Sequence, residues 1–166
     1  MLSIVLLEPE IPPNTGNIVR TCAALGADLH LIEPLGFRVD DAAVKRAGLD
    51  YWDKANVRLY KNLADFYDKT GAEPFCWYAS TKAGHPYFDA KYADPCYLVF
   101  GKETRGLPED LLENNLDRCV RLPMREGIRS LNLSNSVAIL AYEVMRQRGF
   151  PGLVYQGKFG VDGGSK

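Results

Sequence analysis

Arg129-Ser130-Leu131-Asn132-Leu133-Ser134-Asn135-Ser136 is the stretch on which the fold turns. Its leucines alternate with serine and asparagine, and it runs straight into the apolar segment Val137 to Met145. Serine and asparagine side chains bond nearby backbone groups, so this is a poor core strand. It predicts a structured loop ending in a capped helix that runs from Ser134. On that helix Val137, Leu140, Ala141, Val144 and Met145 form a wide apolar stripe, and Gly149 and Pro151 are placed to stop it. Two similar patches lie upstream, Asn14-Thr15-Gly16-Asn17-Ile18-Val19-Arg20 and Gly101-Lys102-Glu103-Thr104-Arg105-Gly106-Leu107-Pro108. The three read as one site.

The segments between these patches alternate in type. Leu2 to Leu7 is a near-continuous apolar run of strand length that stops at Glu8-Pro9, as a strand covered on both faces of a parallel sheet would. Pro9, Pro12 and Pro13 enforce an extended connection, after which Asn14 or Thr15 caps a helix carrying Ile18, Cys22 and Leu25 inward and ending at Gly26. Asn14, Asn17 and Arg20 are spaced by three on it and look out over the tip of the first strand. Asp28 to Glu33 is a second strand, residues 40–51 have helical spacing, Val57 to Tyr60 is a strand, and Leu63, Phe66 and Tyr67 mark an amphipathic helix. Phe75 to Ser80 and Cys96 to Phe100 are strands separated by a loop of Gly, His, Pro and Tyr. Pro108, Glu109 and Asp110 open a helix, and Cys119 to Leu122 is a last short strand. This alternation predicts one α/β domain over residues 1–155, with a mainly parallel sheet, helices on both faces, and the site at the strands' C-terminal ends. Residues 156–166 form a glycine-rich tail expected to fray.

A chain of 166 residues with 46% hydrophobic content suits one core. Its net charge of −1 gives no global sign of a polyanion partner. Any such partner must be held by a local cluster: Arg118, Arg121, Arg125 and Arg129, with Lys102, Arg105 and Arg20 expected nearby. The four cysteines form no Cys-x-x-Cys pair and read as buried free thiols, and His30 and His85 have no metal-ligand spacing, so no metal is expected. No stretch approaches the ~20 apolar residues of a membrane span, which predicts a soluble cytoplasmic protein with no membrane partner. The loop from Gly101 to Gly106 lacks both the dinucleotide and the P-loop spacing. Glycine at each end instead lets backbone approach a flat ligand closely. Glu103, taken alone, also reads as a solvated turn carboxylate.

In chain order, the patches beginning at Asn14, at Phe100-Gly101 and at Arg129 resemble the signature motifs of the SpoU/TrmH branch of the SPOUT superfamily, S-adenosylmethionine-dependent RNA 2′-O-ribose methyltransferases. The resemblance covers nearly the whole chain. Lys102 departs from it, standing where the best-known members carry proline, and leaves Gly101 and Glu103 in place. The bare domain, the opening Glu8-Pro9-Glu10-Ile11-Pro12-Pro13-Asn14 and the run His30-Leu31-Ile32-Glu33-Pro34-Leu35-Gly36-Phe37 are similar to members that methylate the wobble ribose of leucine tRNAs.

The resemblance implies a C-terminal trefoil knot, which ordinary topology rules would exclude. It also implies a homodimer packed through the final helix. S-adenosylmethionine, leaving as S-adenosylhomocysteine, would be contacted by Ala79, Gly101, Leu122, Ser130 and Leu131. Arg20 would stand at the ribose hydroxyl within a frame of Asn14, Glu103, Ser130 and Asn132, and Tyr142 would either position the RNA or pack as a core tyrosine of the dimer interface. Two other readings stay open: a 2′-O-methyltransferase for another tRNA position or for rRNA, and a non-catalytic RNA- or nucleotide-binding protein on the same fold.

Overall fold

The computed structural model describes residues 1–38 and 51–157. The helix expected over residues 40–51 falls, save for Tyr51, outside the described residues, as does the tail from residue 158. Seven strands form one sheet: β1 (Leu2–Leu7), β2 (Asp28–Ile32), β3 (Val57–Tyr60), β4 (Cys76–Ala79), β5 (His85–Pro86), β6 (Cys96–Phe100) and β7 (Cys119–Arg121). Their order is β3-β2-β1-β6-β4-β7-β5, and every pairing is parallel. The α-helices among the described residues are α1 (Pro12–Leu25), α2 (Leu63–Thr70), α3 (Glu109–Glu113) and α4 (Leu133–Gln147).

β1 lies between β2 and β6, with Ile4 opposite both Leu29 and Leu98. Successive side chains of a strand point to opposite faces, so both faces of β1 must be apolar to be covered. Leu2, Ile4 and Leu6 pack on one face with Ile18 and Cys22 of α1 and Val137, Leu140 and Val144 of α4. Val5 and Leu7 pack on the other with Phe66 of α2 and Leu112 of α3. The apolar stripe expected on α4 is buried throughout.

Beyond shifts of a residue at several strand ends, three differences from the sequence reading stand out. α1 begins at Pro12, with Ile11 in the N-cap position and no side-chain cap. Two prolines in the first turn supply helical φ and lack the N–H groups that a cap would satisfy, which frees Asn14 and Thr15 for other work. α4 begins at Leu133 and is capped by Asn132. The loop around His85 contains the two-residue edge strand β5, paired with β7, too short to leave a periodic signal.

Strands step outward from β1 through β2 to β3 in one direction, and from β6 through β4 and β7 to β5 in the other. The connection leaving β1 leads to α1 on the first face, whereas the one leaving β6 leads to α3 on the second. Such a divergence opens a crevice at the strands' C-terminal ends. Among the described residues no helix is long and apolar enough to cross a membrane.

Candidate active site

The crevice is not left open, because the loops that flank it are tied together. Glu103 accepts from the Glu10 N–H (2.8 Å) on one carboxylate oxygen, and from Asn14 Nδ2 (2.9 Å) and the Ile11 N–H (3.3 Å) on the other. It is therefore a structural acceptor rather than a solvated turn carboxylate. Asn14, 6% exposed, accepts from Asn132 Nδ2 (2.9 Å). Asn132 in turn accepts from the Ser134 N–H (2.9 Å) and the Ser134 hydroxyl (2.7 Å) at the head of α4. One unbroken chain of hydrogen bonds thus joins residues from all three sequence patches. Each member is oriented by the next, so the frame is set before any ligand arrives.

Beside this frame, over the ends of β4, β6 and β7, lies a cleft of about 620 Å³, within the ~300–1,000 Å³ usual for small-molecule sites. Its apolar lining includes Ala79, Phe100, Val120, Leu122 and Leu140, and its polar lining includes Ser80, Lys82, Arg105, Arg129 and Ser130. The turn from Gly101 to Gly106 forms one wall, with a glycine at each end. A Cβ on Gly101 would lie 2.1 Å from the Gly106 carbonyl carbon and 2.3 Å from the Leu107 nitrogen, and Gly106 itself sits at φ 71°. The Gly106 N–H donates to the Lys102 carbonyl at 2.8 Å, closing the turn. Gly101 therefore admits no side chain, and the tight packing of the turn depends on it.

Ala79, Gly101, Leu122, Ser130, Leu131, Asn14, Glu103 and Asn132 all line this cleft. Arg20 and Tyr142 do not. The exposed Arg20 guanidinium lies over the Tyr51 ring, 4.9 Å from its centroid, with Nη2 3.5 Å from the phenol oxygen. Tyr142 is 48% exposed on α4, its ring 6.4 Å from that of Phe150.

The arginine cluster read from the sequence divides in the structure. Arg105 and Arg129 line the cleft. Arg118 is committed to the Glu73 carbonyl (2.6 Å) and Asn115 Oδ1 (2.5 Å), and Lys102 pairs with Glu8 at 2.5 Å. Sequence reasoning also missed Glu10, whose carboxylate accepts from the Thr104 N–H (3.1 Å) and hydroxyl (3.0 Å). The available signal was two carboxylates, Glu8 and Glu10, at alternate positions of an extended segment.

His30 and the cysteines face inward. His30, 2% exposed, has Nδ1 3.0 Å from the Tyr60 hydroxyl, and burial lowers its pKa to about 4. All four cysteines are free and buried; burial pushes the thiols of Cys22, Cys76 and Cys96 up to about 12. Among the described residues no group of three or more His, Cys, Asp or Glu is placed to hold a metal ion.

Comparison with known proteins gives consistent relatives. The pattern of the SpoU rRNA Methylase family matches residues 1–142. A tRNA (cytidine(34)-2′-O)-methyltransferase of Burkholderia ambifaria is 51% identical over 155 residues, covering 92% of this chain and 99% of its own. A structure solved for insights into the 2-OH methylation of C/U34 on tRNA superposes with TM-score 0.85 at 42% identity, covering 90% of this chain and 97% of that one. The SpoU methyltransferase AviRb of Streptomyces viridochromogenes, in complex with AdoMet, superposes with TM-score 0.80 at 25% identity, covering 89% of this chain and 58% of its own.

Proposed function

The chain belongs to the SpoU rRNA Methylase family, and from that premise we propose that it methylates the ribose 2′-hydroxyl of nucleotide 34 of tRNA, using S-adenosylmethionine. Leucine isoacceptors, a homodimer packed through α4 and a cytoplasmic site of action belong to the same reading. The observation that carries it is the hydrogen-bonded frame Glu103–Asn14–Asn132–Ser134 standing beside a cleft of mixed apolar and polar lining.

The cleft fits the methyl donor. Its apolar lining suits the adenine, while peptide groups of the Gly101 turn, Leu122 and Leu131 are available to the polar edges. A C-terminal trefoil knot belongs to the same reading. When bound, S-adenosylmethionine supplies an electrophilic sulfonium methyl and departs as S-adenosylhomocysteine. The protein must align the ribose oxygen behind that methyl and let its proton go. Asn14, Ser130 and Asn132 orient the hydroxyl, and Glu103 holds Asn14 in place. A guanidinium keeps its proton and cannot act as base. In this reading Arg20 grips the adjoining phosphate and polarises the hydroxyl, whose proton passes to phosphate or water. Because Arg20 lies outside the cleft of its own chain, it would serve the cleft of a second copy. Tyr142, exposed on α4, would position the RNA.

The test is labelled methyl transfer to leucine tRNAs, followed by mapping of the modified ribose. Label at nucleotide 34, lost in Arg20→Ala and not restored in Arg20→Lys, is the expected outcome. Label at another position or only in rRNA would overturn the target, and full activity of Arg20→Ala would overturn the assigned role.

A further inference from the structure

We propose that Glu10 is a positioning residue for the methyl donor, acting through Thr104. The inference rests on the reading of the cleft as an S-adenosylmethionine site. The segment after β1 and the loop after β6 exchange carboxylates reciprocally, although they lie more than ninety residues apart. Glu10 accepts from the Thr104 hydroxyl on one oxygen (3.0 Å) and from the Thr104 N–H on the other (3.1 Å). Glu103, the neighbour of Thr104, accepts from the N–H of Glu10 itself at 2.8 Å. Each segment thus holds the other by the backbone, and Glu8 with Lys102 adds an ion pair at the base of the same seam.

This seam has a consequence for the ligand. The turn from Gly101 to Gly106 forms one wall of the cleft, and Gly101 itself has no side chain with which to anchor it. The anchoring comes from the segment after β1. Glu103 ties one residue of the turn and Glu10 ties the next, so Thr104 is held in backbone and side chain together. Without the Glu10 carboxylate the Thr104 N–H turns to water and the wall gains alternative positions. Donor binding must then order it, at a cost in affinity. Glu103 keeps its partners, because these are the N–H groups of Glu10 and Ile11 and the amide of Asn14 rather than the Glu10 side chain.

The experiment is calorimetry with S-adenosylhomocysteine on the full chain, together with steady-state methyl transfer. Two hydrogen bonds to a partly exposed carboxylate correspond to about a tenfold loss of affinity. Glu10→Ala is expected to weaken binding and raise the KM for S-adenosylmethionine by that factor. The KM for tRNA, and kcat at saturating donor, should stay within about twofold. Glu10→Gln should fall between. Thr104→Ala, which keeps its N–H bond, should lose about threefold alone and nothing further when added to Glu10→Ala. Wild-type affinity in a folded Glu10→Ala, or additive losses in the double variant, would overturn the proposal. Should Glu10→Ala not fold, unchanged affinity in Thr104→Ala would do so. A wild-type protein that fails to bind S-adenosylhomocysteine would overturn the cofactor reading as well. Binding by the wild type with indifferent variants would remove only the role of Glu10.

Discussion

Substituting Asn14 strikes the frame at its middle. The side chain is 6% exposed, donates to Glu103 at 2.9 Å and accepts from Asn132 at 2.9 Å. Asn14→Ala removes one hydrogen bond to a charged group, typically about 1.5–3 kcal/mol, and one between neutral amides, about 0.5–1.5 kcal/mol. The sum is about 2–4.5 kcal/mol, divided between lost stability and lost alignment of the cleft. Asn14→Asp is the sharper probe, because it has almost the same shape. It can still accept from Asn132 but cannot donate to Glu103, and it sets two carboxylates face to face. At about 4 Å and an effective dielectric near 20 their repulsion approaches ~4 kcal/mol. Urea unfolding at neutral pH is expected to rank wild type above Asn14→Ala and Asn14→Ala above Asn14→Asp. Methyl transfer should fall by at least about tenfold in the alanine variant, since ~1.4 kcal/mol of lost alignment is a factor of ten. An Asn14→Asp protein as stable and as active as the wild type would refute the claim that Glu103 and Asn14 are joined in solution.

Gly101→Ala should abolish S-adenosylhomocysteine binding in calorimetry while far-UV circular dichroism stays unchanged, because the added Cβ meets the backbone of Gly106 at 2.1 Å; retained affinity would mean that the turn is not the wall of the site. His30 should make stability depend on pH. Its pKa falls from 6.5 to about 4 on burial, so the unfolded chain binds the extra proton between those values. The contribution is full above pH 6.5 and is lost as pH falls toward 4, amounting to about 3 kcal/mol at most; urea curves of His30→Gln should show a correspondingly flatter acid limb. The cysteine thiols should stay silent to a thiol reagent in the native protein and all four react on unfolding, since each is buried; a fast native thiol would contradict this.

The sheet was legible where a residue's own neighbours determine its environment. Leu2 to Leu7 has no polar residue except Ser3, which forces cover on both faces, and the stripe on α4 follows from helical period alone. The convergence of the three patches was legible, since polar segments at the strand ends of one parallel sheet meet, whereas the standing of Arg20 and Tyr142 outside the cleft was not. Partnerships across the chain were not. Asn14 read as a cap because local bonding is the common use of asparagine, whereas the two prolines before it had removed the N–H groups that need one. Glu10, in an extended connection, carries no local sign of its partner Thr104, 94 positions away. Helical spacing gave the direction in which Arg20 leaves α1, but not the Tyr51 ring on which it rests.

The most direct measurement is a crystal structure of the protein with S-adenosylhomocysteine. The ligand is expected between the Gly101–Gly106 turn, Leu122 and Leu131, its sulfur facing Ser130 and Asn132, with Arg20 of a second copy approaching the same opening. Density for the ligand anywhere else, or a cleft closed by its own side chains with the ligand in excess, would contradict the account.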